Sequence, residues 1–344
     1  MQTTSIQPSG SHASNENEIK HSLPDKDMVW IASGTCQIGS DSHYPEERPA
    51  HSVAVEGFWI DRYEVNNQQF ARFVEETNYV TLAEIPPRAE DYPGAKPEML
   101  QPASVVFRKP SHPVDLGNHF NWWTYIAGAN WLHPEGPGSS IEGREQHPVV
   151  HIAYQDAEAY AQWAGKELPS EEEWEFAARG GLDRAFYAWG EEFTPGGKYI
   201  ANTWQGEFPW QNLRSDGYEG TAPVGQFPPN GYGLHDMIGN VWEWTTSWYT
   251  AQHPAKACCG GISIQEKNRE LSYDPQMPGI KIPRRVIKGG SFLCAPNYCR
   301  RYRPAARMAQ PIDTAACHVG FRLIFKKKRE PGLSYRQNLV SINE

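Results

Sequence analysis

Apolar and polar residues alternate near the start of the chain in a way that predicts short strands. Residues 28–31 and 34–40 are predicted to form a strand, a turn and a second strand. Residues 51–55 and 58–61 share this β-branched and aromatic composition. The ordered part of the chain is therefore expected to begin near Met28.

Helical periodicity follows in two segments of the first half of the chain. Phe70, Phe73 and Val74 recur at the spacing of one helix face, and Asn66 is the candidate N-cap of that helix. Residues 154–166 carry alanines and tyrosines at the same spacing. We therefore predict one helix after Asn66 and a second helix over residues 154–166.

A third helix is predicted from its capping residues. Ser170 can accept a hydrogen bond from the Glu173 amide while the Glu173 side chain bonds back to the Ser170 amide. Gly180-Gly181 is then expected to end the helix. Beyond this point the helical pattern nearly vanishes. Short strands and loops are predicted at residues 199–206, 222–227 and 242–248.

Residues 80–150 show little periodicity and are rich in proline, tryptophan and glycine. We interpret them as a long ordered insertion, and a loop of this length inside a compact domain usually has a functional reason. The pattern as a whole predicts a single compact α+β domain over residues 28–326, with little regular secondary structure. Residues 1–27 are interpreted as a disordered polar leader, and residues 327–344 as a polar C-terminal tail.

Composition adds mainly exclusions. A net charge of −9 over 344 residues argues against a nucleic-acid binder, and the short basic block at residues 326–329 is interpreted as a solvated tail. No apolar run approaches the roughly 18 residues of a membrane span. The polar N-terminus lacks the apolar region of a signal peptide, so the six cysteines do not indicate a disulfide framework. We therefore expect a cytoplasmic protein with reduced thiols.

Reactive chemistry is expected in residues 285–303, where a β-branched run leads through Gly289-Gly290 into two cysteines. Cys294 and Cys299 lie five positions apart, and neither a strand nor a helix brings two side chains at that spacing to one point. The turn residues Ala295-Pro296-Asn297 can do so. Two converging thiolates could form a disulfide, bind a soft metal ion or act as a redox pair. An inert pair in a core loop is the alternative.

Among soft metal ions, Cu(I) matches two thiolates because it accepts low coordination. Zinc and iron–sulfur sites usually need four ligands, and the chain has no CxxC sequence and no Cys/His finger spacing. The arginines near Cys299 are expected to lower the pKa of both thiols. No role follows from the sequence for the remaining cysteines, which are Cys36, Cys258, Cys259 and Cys317.

Two loops rich in oxygen ligands are candidate Ca²⁺ sites. The first offers Asn202, Thr203, Asp216 and Tyr218, and the second offers Asp236, Gly239, Val241 and Glu243. Carboxylates, amides and turn carbonyls are the ligands that Ca²⁺ takes. Asx turns and capping explain the same residues, and the residues alone favour that simpler interpretation.

Several motifs, taken together, resemble the formylglycine-generating enzyme (sulfatase-modifying factor) family. They are Gly34-Thr35-Cys36-Gln37-Ile38-Gly39-Ser40, Leu168-Pro169-Ser170-Glu171-Glu172-Glu173-Trp174, Asn230-Gly231-Tyr232-Gly233-Leu234, Gly239-Asn240-Val241-Trp242-Glu243-Trp244, Lys288-Gly289-Gly290-Ser291-Phe292 and His318-Val319-Gly320-Phe321-Arg322. The resemblance implies the formylglycine-generating-enzyme fold of the C-type-lectin-like superfamily. The cysteine pair and residues 130–137 and 204–209 resemble the true formylglycine-generating enzymes in particular.

The resemblance implies roles for individual residues. Cys294 and Cys299 would bind Cu(I), and Ser291 would orient O₂ or a thiolate. Pocket and substrate contacts are implied for Trp242, Tyr298 and Arg307. The two oxygen-rich sets would be structural Ca²⁺ sites, in which Thr203 and Val241 act through their backbone carbonyls.

The activity that the resemblance implies is the oxidation of a peptidyl cysteine by a copper-dependent oxidase. The cysteine of a Cys-x-Pro-x-Arg motif in an unfolded sulfatase would become Cα-formylglycine, with O₂ as the oxidant. The peptide would lie in a surface cleft, and we expect a monomer with neither a nucleic-acid nor a membrane partner. One alternative is a non-catalytic binding module of the same superfamily. Another is an iron-dependent sulfoxide synthase of the ergothioneine type, which would need a further N-terminal helical domain.

Overall fold

The computed structural model describes residues 26–253 and 268–326 of the chain. The predicted C-terminal tail, nearly all of the predicted leader, and Cys258 and Cys259 lie outside the described residues. Within the described part, no helix has both the length and the apolar character needed to cross a membrane.

Short strands supply most of the regular structure. They are β1 Met28–Ile31, β2 Gly34–Ile38, β3 His51–Val55, β4 Phe58–Asp61, β5 Ala103–Phe107, β6 Trp123–Ala127, β7 Trp242–Trp248, β8 Arg284–Lys288, β9 Arg307–Pro311, β10 Val319–Gly320 and β11 Ile324–Phe325. The first four strands and β7 confirm the strands predicted from the sequence, except that β2 ends at Ile38.

The strands form small sheets. β4 pairs antiparallel with both β1 and β11, β2 pairs with β3, and β5 pairs with β6. The largest described sheet has the order β10-β7-β8-β9, in which only the β10–β7 pair is parallel. Residues 199–206 and 222–227 contain no strand and are loops. The β5–β6 pair lies inside the insertion at residues 80–150, where the sequence predicted no regular element.

Helix α1, Asn67–Thr77, begins where its cap predicts. Asn66 Oδ1 accepts a hydrogen bond from the Gln69 amide at 2.9 Å, and Gln69 Oε1 accepts one from the Asn66 amide at 3.0 Å. These reciprocal bonds satisfy two amides that have no partner within the helix. Phe70 and Phe73 point into the core from one face, so the predicted face is also confirmed.

Helices α2, Tyr154–Trp163, and α3, Glu171–Arg179, follow the predicted order. α2 ends three residues before the predicted limit. At the start of α3, Ser170 Oγ accepts the Glu173 amide at 3.2 Å, and Glu173 Oε2 accepts the Ser170 amide at 2.9 Å. Gly180 follows α3 in the left-handed conformation. The prediction that a glycine at this position ends the helix is therefore confirmed.

Within the described ranges, three clusters of buried apolar side chains form the core. The largest joins α1, α2 and β7 through residues such as Phe70, Tyr160 and Trp244. The second packs α3 onto β4, with Trp174 and Ile60 among its members. The third lies beneath the segment that follows β8 and comprises Trp122, Trp204, Phe208, Phe292, Leu293 and Ala295.

Buried ion pairs around the cysteine segment connect elements that are far apart in sequence. These pairs are Lys288–Glu175, Arg303–Glu47, Arg307–Glu171 and Arg322–Glu243. Glu171 and Glu175 belong to α3, and Glu47 belongs to a short 3-10 turn at Pro45–Glu47. A buried charge that loses its partner is costly, so these pairs fix the elements around the cysteines relative to one another.

Candidate active site

The cysteine segment folds as a turn that brings the two sulfur atoms together. The Cys299 amide donates to the Ala295 carbonyl at 2.9 Å, and the Tyr298 amide donates to the same oxygen at 3.2 Å. Cys294 Sγ and Cys299 Sγ are 3.4 Å apart. This separation exceeds the roughly 2.05 Å of a disulfide, and both residues are free thiols. The predicted convergence through a turn is therefore what the structure contains.

The turn is fixed to neighbouring loops by main-chain hydrogen bonds. The Phe292 amide donates to the Asn240 carbonyl at 2.9 Å, and the Trp204 amide donates to the Cys294 carbonyl at 3.0 Å. The Gly239 amide donates to the carbonyl of Gly289 at 3.0 Å. Because these donors and acceptors come from loops far apart in sequence, the position of the cysteines depends on the tertiary fold.

The two glycines before the turn have backbone conformations that other residues rarely adopt. Gly289 and Gly290 have φ angles of +95° and +76°. A Cβ atom on Gly290 would lie 2.9 Å from the Arg301 carbonyl oxygen and 3.0 Å from the Tyr302 amide nitrogen. Only glycine allows this close approach of two backbone segments on either side of the cysteines.

We expect the Gly290→Ala variant to lose about 1–3 kcal/mol of unfolding free energy, measured by urea denaturation, because of the positive φ and the backbone clash. The clash should also displace the two cysteines and reduce activity. Gly138→Ala is the matched control, since Gly138 has a φ of +89° but nothing within 4 Å of its Cβ position. An equal loss in both variants would contradict the close-approach argument.

The two thiols differ in acidity. Burial raises the pKa of Cys294 well above its usual value. The hydrogen bond with Cys294 and then the charge of Arg301 lower the pKa of Cys299 to about 6. Arg301 is held over the Tyr44 ring at 4.0 Å, and its Nη2 atom contacts Glu46 Oε1 at 2.5 Å. Arg301 acts on Cys294 in the expected direction, but the desolvation of this buried thiol outweighs the nearby positive charge, so the pKa of Cys294 is raised overall.

Both sulfur atoms lie in an open cleft of about 540 Å³. Trp242 lines this cleft and is buried, as the predicted pocket wall requires. Tyr298 lies at the rim with 40% of its surface exposed, and its ring stacks on Phe208 at a centroid distance of 4.6 Å. The site thus offers one buried aromatic wall and one accessible aromatic edge beside the thiols.

Ser291 is fully buried at the base of the cleft. Its backbone amide donates to Cys294 Sγ at 3.5 Å, and its hydroxyl oxygen accepts the Leu293 amide at 3.3 Å. The residue therefore contacts the sulfur of Cys294 through its main chain, while its side chain holds the turn. The predicted role of the hydroxyl in orienting O₂ or a thiolate stays a prediction.

Arg307 does not line the cleft, which contradicts the prediction that it contacts substrate. Its guanidinium is buried and makes two hydrogen bonds to the Glu171 carboxylate, at 2.7 and 2.8 Å. The remaining donor of this group reaches the carbonyls of Glu46 and Thr250. The side chain is therefore committed to holding β9 against α3.

Several residues of the cleft were missed as site residues by the sequence analysis. The cleft is also lined by Phe120, Trp122, Phe208, Arg301 and His318. For Trp122, the high density of aromatic residues in the insertion was the sequence feature that could have indicated a place in the cleft. Arg301 is adjacent in sequence to other arginines, and only the tertiary structure distinguishes it as the residue whose Nη1 atom lies 3.9 Å from Cys299 Sγ.

The donor set of the cleft fits Cu(I). In the described ranges there is no group of three or more His, Cys, Asp or Glu side chains arranged to hold a metal ion. Cys294 and Cys299 thus form a two-thiol donor set with an accessible side. Soft thiolates in low coordination suit Cu(I), whereas zinc would require further ligands.

The first oxygen-rich set converges on Asp216. Its carboxylate accepts the Thr203 amide at 3.1 Å and the Tyr218 amide at 3.0 Å, and the second bond closes an Asx turn. The Thr203 hydroxyl is buried without a partner, and burial raises the pKa of Asp216. Asn202 is joined to the same loop by its bond to the Gly220 carbonyl. Both an Asx turn and a Ca²⁺ site are therefore consistent with this set.

The second set fits Ca²⁺ less well, because Glu243 has other partners. Its two carboxylate oxygens accept hydrogen bonds from Arg322, and Oε2 also accepts one from Trp174. Asp236 is buried, which raises its pKa to about 6, and it lies near a buried Glu64 whose Oε2 atom has no partner. Gly239 and Val241 belong to the same part of the chain, and their predicted ligands are backbone oxygens, since neither side chain carries an oxygen atom. Glu64, absent from the predicted set, offers the free carboxylate oxygen.

Comparisons with known proteins agree with this geometry. The family model described as the sulfatase-modifying factor enzyme 1-like domain matches residues 13–327. The formylglycine-generating enzyme of Mycobacterium tuberculosis is 49% identical over 302 residues, which cover 87% of this chain and 97% of that protein. The formylglycine-generating enzyme of Thermomonospora curvata is 47% identical over 306 residues, which cover 86% and 92%.

A solved structure supports the fold. The structure of PvdO from Pseudomonas aeruginosa superposes with a TM-score of 0.55 at 23% sequence identity, and it covers 87% of this chain and 95% of that chain. At this identity the likeness concerns the fold alone. The chain belongs to the formylglycine-generating enzyme (sulfatase-modifying factor) family, as its motifs predicted, and it has the fold of that family.

Proposed function

We propose that this protein converts the cysteine of a Cys-x-Pro-x-Arg motif in an unfolded sulfatase polypeptide to Cα-formylglycine, with O₂ as the oxidant. One observation carries the proposal. Two free thiols, Cys294 and Cys299, lie 3.4 Å apart in an open cleft of a chain that is 49% identical to a formylglycine-generating enzyme. Family membership alone would also suit a binding module, whereas a converging thiol pair suits redox chemistry.

The cysteine pair would hold one Cu(I) ion, which would supply electron transfer to O₂ when bound. The chain's own contribution is to prepare its ligands. Arg301 favours the thiolate of Cys299, and the Ser291 amide points at the sulfur of Cys294. Replacement of CH₂–SH by CHO with release of sulfide yields two electrons, and reduction of O₂ to water takes four. A thiol reductant must therefore supply the other two.

The shape of the cleft supports an extended peptide as the substrate. Its accessible side is flanked by Tyr298 and by Phe120, whose surface is 75% exposed. Trp242 forms a buried aromatic wall of the same cleft. A cysteine within a folded domain could not bring its backbone into such a cleft, so the enzyme would act before its target folds.

Calcium would stabilise the loops around the active site. The set around Asp216 and the second loop, in which Asp236 and Glu64 supply carboxylates, would each take one ion. In the second loop the ion would also reduce the repulsion between the two buried carboxylates. Both cysteines belong to one turn of a single chain, so we propose that a monomer acts. The free thiols suit a reducing compartment such as the cytoplasm.

A synthetic peptide with one Cys-x-Pro-x-Arg motif tests this proposal. Incubated in air with the copper-loaded protein and a thiol reductant, the peptide should lose the mass that corresponds to replacement of CH₂–SH by CHO. It should also gain an aldehyde that reacts with a hydrazide. A peptide with serine in place of the cysteine is the control and should remain unchanged. Tight binding of the cysteine peptide without any change in mass would instead indicate a non-catalytic binding module.

A further inference from the structure

A second groove adjoins the active-site cleft. It has a volume of about 580 Å³, which lies in the range of protein ligand pockets. One side is formed by residues 82–100 of the insertion, and most of the lining side chains are apolar, such as Leu82, Ile85, Met99 and Leu100. Neither of the cysteines nor any residue of the two calcium sets lines it. The proposed copper and calcium sites therefore do not account for the groove.

The groove is continuous with the cleft that contains the thiols. Val105, Tyr125 and Thr314 line both of them. Val105 in β5 and Tyr125 in β6 lie directly opposite each other in the antiparallel pair, so this pair forms the place where groove and cleft meet. A chain that lies in the cleft beside Cys299 can therefore pass over β5 and β6 into the groove.

Exposed apolar side chains concentrate along this path. Among the described residues, twelve large apolar side chains are exposed, and five of the twelve line the groove or the cleft. These five are Ile85, Met99, Phe120, Tyr125 and Tyr298. Contiguous exposed apolar surface is uncommon on soluble proteins and marks binding surfaces. An occupant with apolar side chains would cover it.

The wall formed by the insertion is held in place before any ligand arrives. The Leu82 amide donates to the buried Asp156 carboxylate at 3.0 Å. Thr81 and Glu84 form a capping box, with the Thr81 amide donating to Glu84 Oε2 at 3.0 Å. The hydroxyl of Tyr92 donates to Asp313. A groove with fixed walls binds with a smaller loss of conformational entropy than one that must first be ordered.

We propose that this groove is a docking site for apolar side chains that flank the modified motif in the unfolded sulfatase polypeptide. The inference rests on the proposed function, because it takes the occupant to be the same extended chain that enters the cleft. A five-residue motif spans roughly 17 Å when extended, so its neighbours reach beyond the cleft. Apolar residues of this kind are buried in a folded sulfatase, which gives the enzyme a second means of selecting unfolded chains.

Binding of labelled peptides by fluorescence anisotropy tests the docking site without any catalysis. Three peptides carry serine in place of the reactive cysteine: the motif alone, and the motif extended by about six residues with two leucines on either the amino or the carboxyl side. Burial of one leucine contributes about 1.5–3 kcal/mol at most. We therefore expect one of the extended peptides to bind the full-length protein at least roughly tenfold more tightly than the motif alone.

Charged substitutions in the groove should remove this gain. Ile85→Glu and Met99→Glu change side chains that are 43% and 51% exposed, so the fold should tolerate both. Each variant should bind the extended peptide no more tightly than the motif peptide, with the affinity for the motif peptide unchanged. Leu213→Glu is the matched control, since Leu213 is 59% exposed and lines neither groove nor cleft, and it should retain the full gain.

Two results would overturn the docking site. The first is equal affinity of the protein for the motif peptide and both extended peptides. The second is an affinity gain of the extended peptide that survives in both Ile85→Glu and Met99→Glu. Absence of measurable binding by every peptide would also overturn it. Failure of the proposed function has a different signature. In that case the wild-type protein would leave the cysteine peptide unoxidised while the gain in affinity remained sensitive to Ile85→Glu.

Discussion

Replacing either Cys294 or Cys299 by serine should lower the rate of formylglycine formation by about 10³-fold or more. A serine hydroxyl is a hard, protonated oxygen, and it cannot replace a soft thiolate as a ligand of Cu(I). The two sulfurs are 3.4 Å apart and act as one donor set, so the double variant should be no worse than either single variant. The measurement is the initial rate of peptide aldehyde formation by mass spectrometry.

Two other free cysteines provide the matched controls for this substitution. Cys36 packs between the β2–β3 pair and α3, and Cys317 accepts a hydrogen bond from the Phe107 amide at 3.2 Å. Neither residue lines the cleft, so Cys36→Ser and Cys317→Ser should retain most of the activity. An active-site variant that kept more than about a tenth of the wild-type rate would rule out the two-thiolate site.

The largest loss of stability is expected from Arg322→Met. The Arg322 guanidinium is fully buried and forms two hydrogen bonds of 2.7 Å to the Glu243 carboxylate. It also donates to the carbonyls of Asp61, Arg62 and His235. Methionine would leave a buried carboxylate uncompensated near Glu64 and Asp236. We expect the unfolding free energy, measured by urea denaturation, to fall by about 3–5 kcal/mol.

A lysine in a surface ion pair provides the control for the loss of unfolding free energy in Arg322→Met. Lys326 pairs with Glu173 at 2.6 Å, but 44% of its side chain is exposed. Lys326→Met should therefore change the unfolding free energy by no more than about 1 kcal/mol. Arg322→Lys keeps the charge but not the paired hydrogen bonds, so its loss should lie between the two. Similar losses in Arg322→Met and Lys326→Met would show that the buried pair does not stabilise the fold as argued.

Local sequence signals predicted the elements that local interactions determine. The caps at Asn66 and Ser170 involve residues three positions apart, so the starts of α1 and α3 could be predicted. The turn between Cys294 and Cys299 could also be predicted, because it follows from the spacing of the cysteines and the turn residues between them. These features need no knowledge of the rest of the fold.

Features that depend on distant partners could not be predicted in the same way. Arg301 and Arg307 are both close in sequence to the cysteines, but Glu171 in α3 binds Arg307 and leaves Arg301 beside Cys299. The raised pKa of Cys294 follows from its burial in the largest apolar cluster, whose members come from elements far apart in sequence. The β5–β6 pair is likewise stabilised by residues after β9, through the bond from the Val105 amide to the Ala315 carbonyl.

Titration of the copper-free protein with Cu(I) tests the central claim most directly. Aldehyde formation on the motif peptide, followed in air with excess thiol reductant, should rise linearly with added Cu(I) and become constant at one ion per chain. The Cys294→Ser and Cys299→Ser variants should show no rise. Turnover by the copper-free protein at the rate of the loaded enzyme would contradict the account, because the thiol pair would then act without a metal ion.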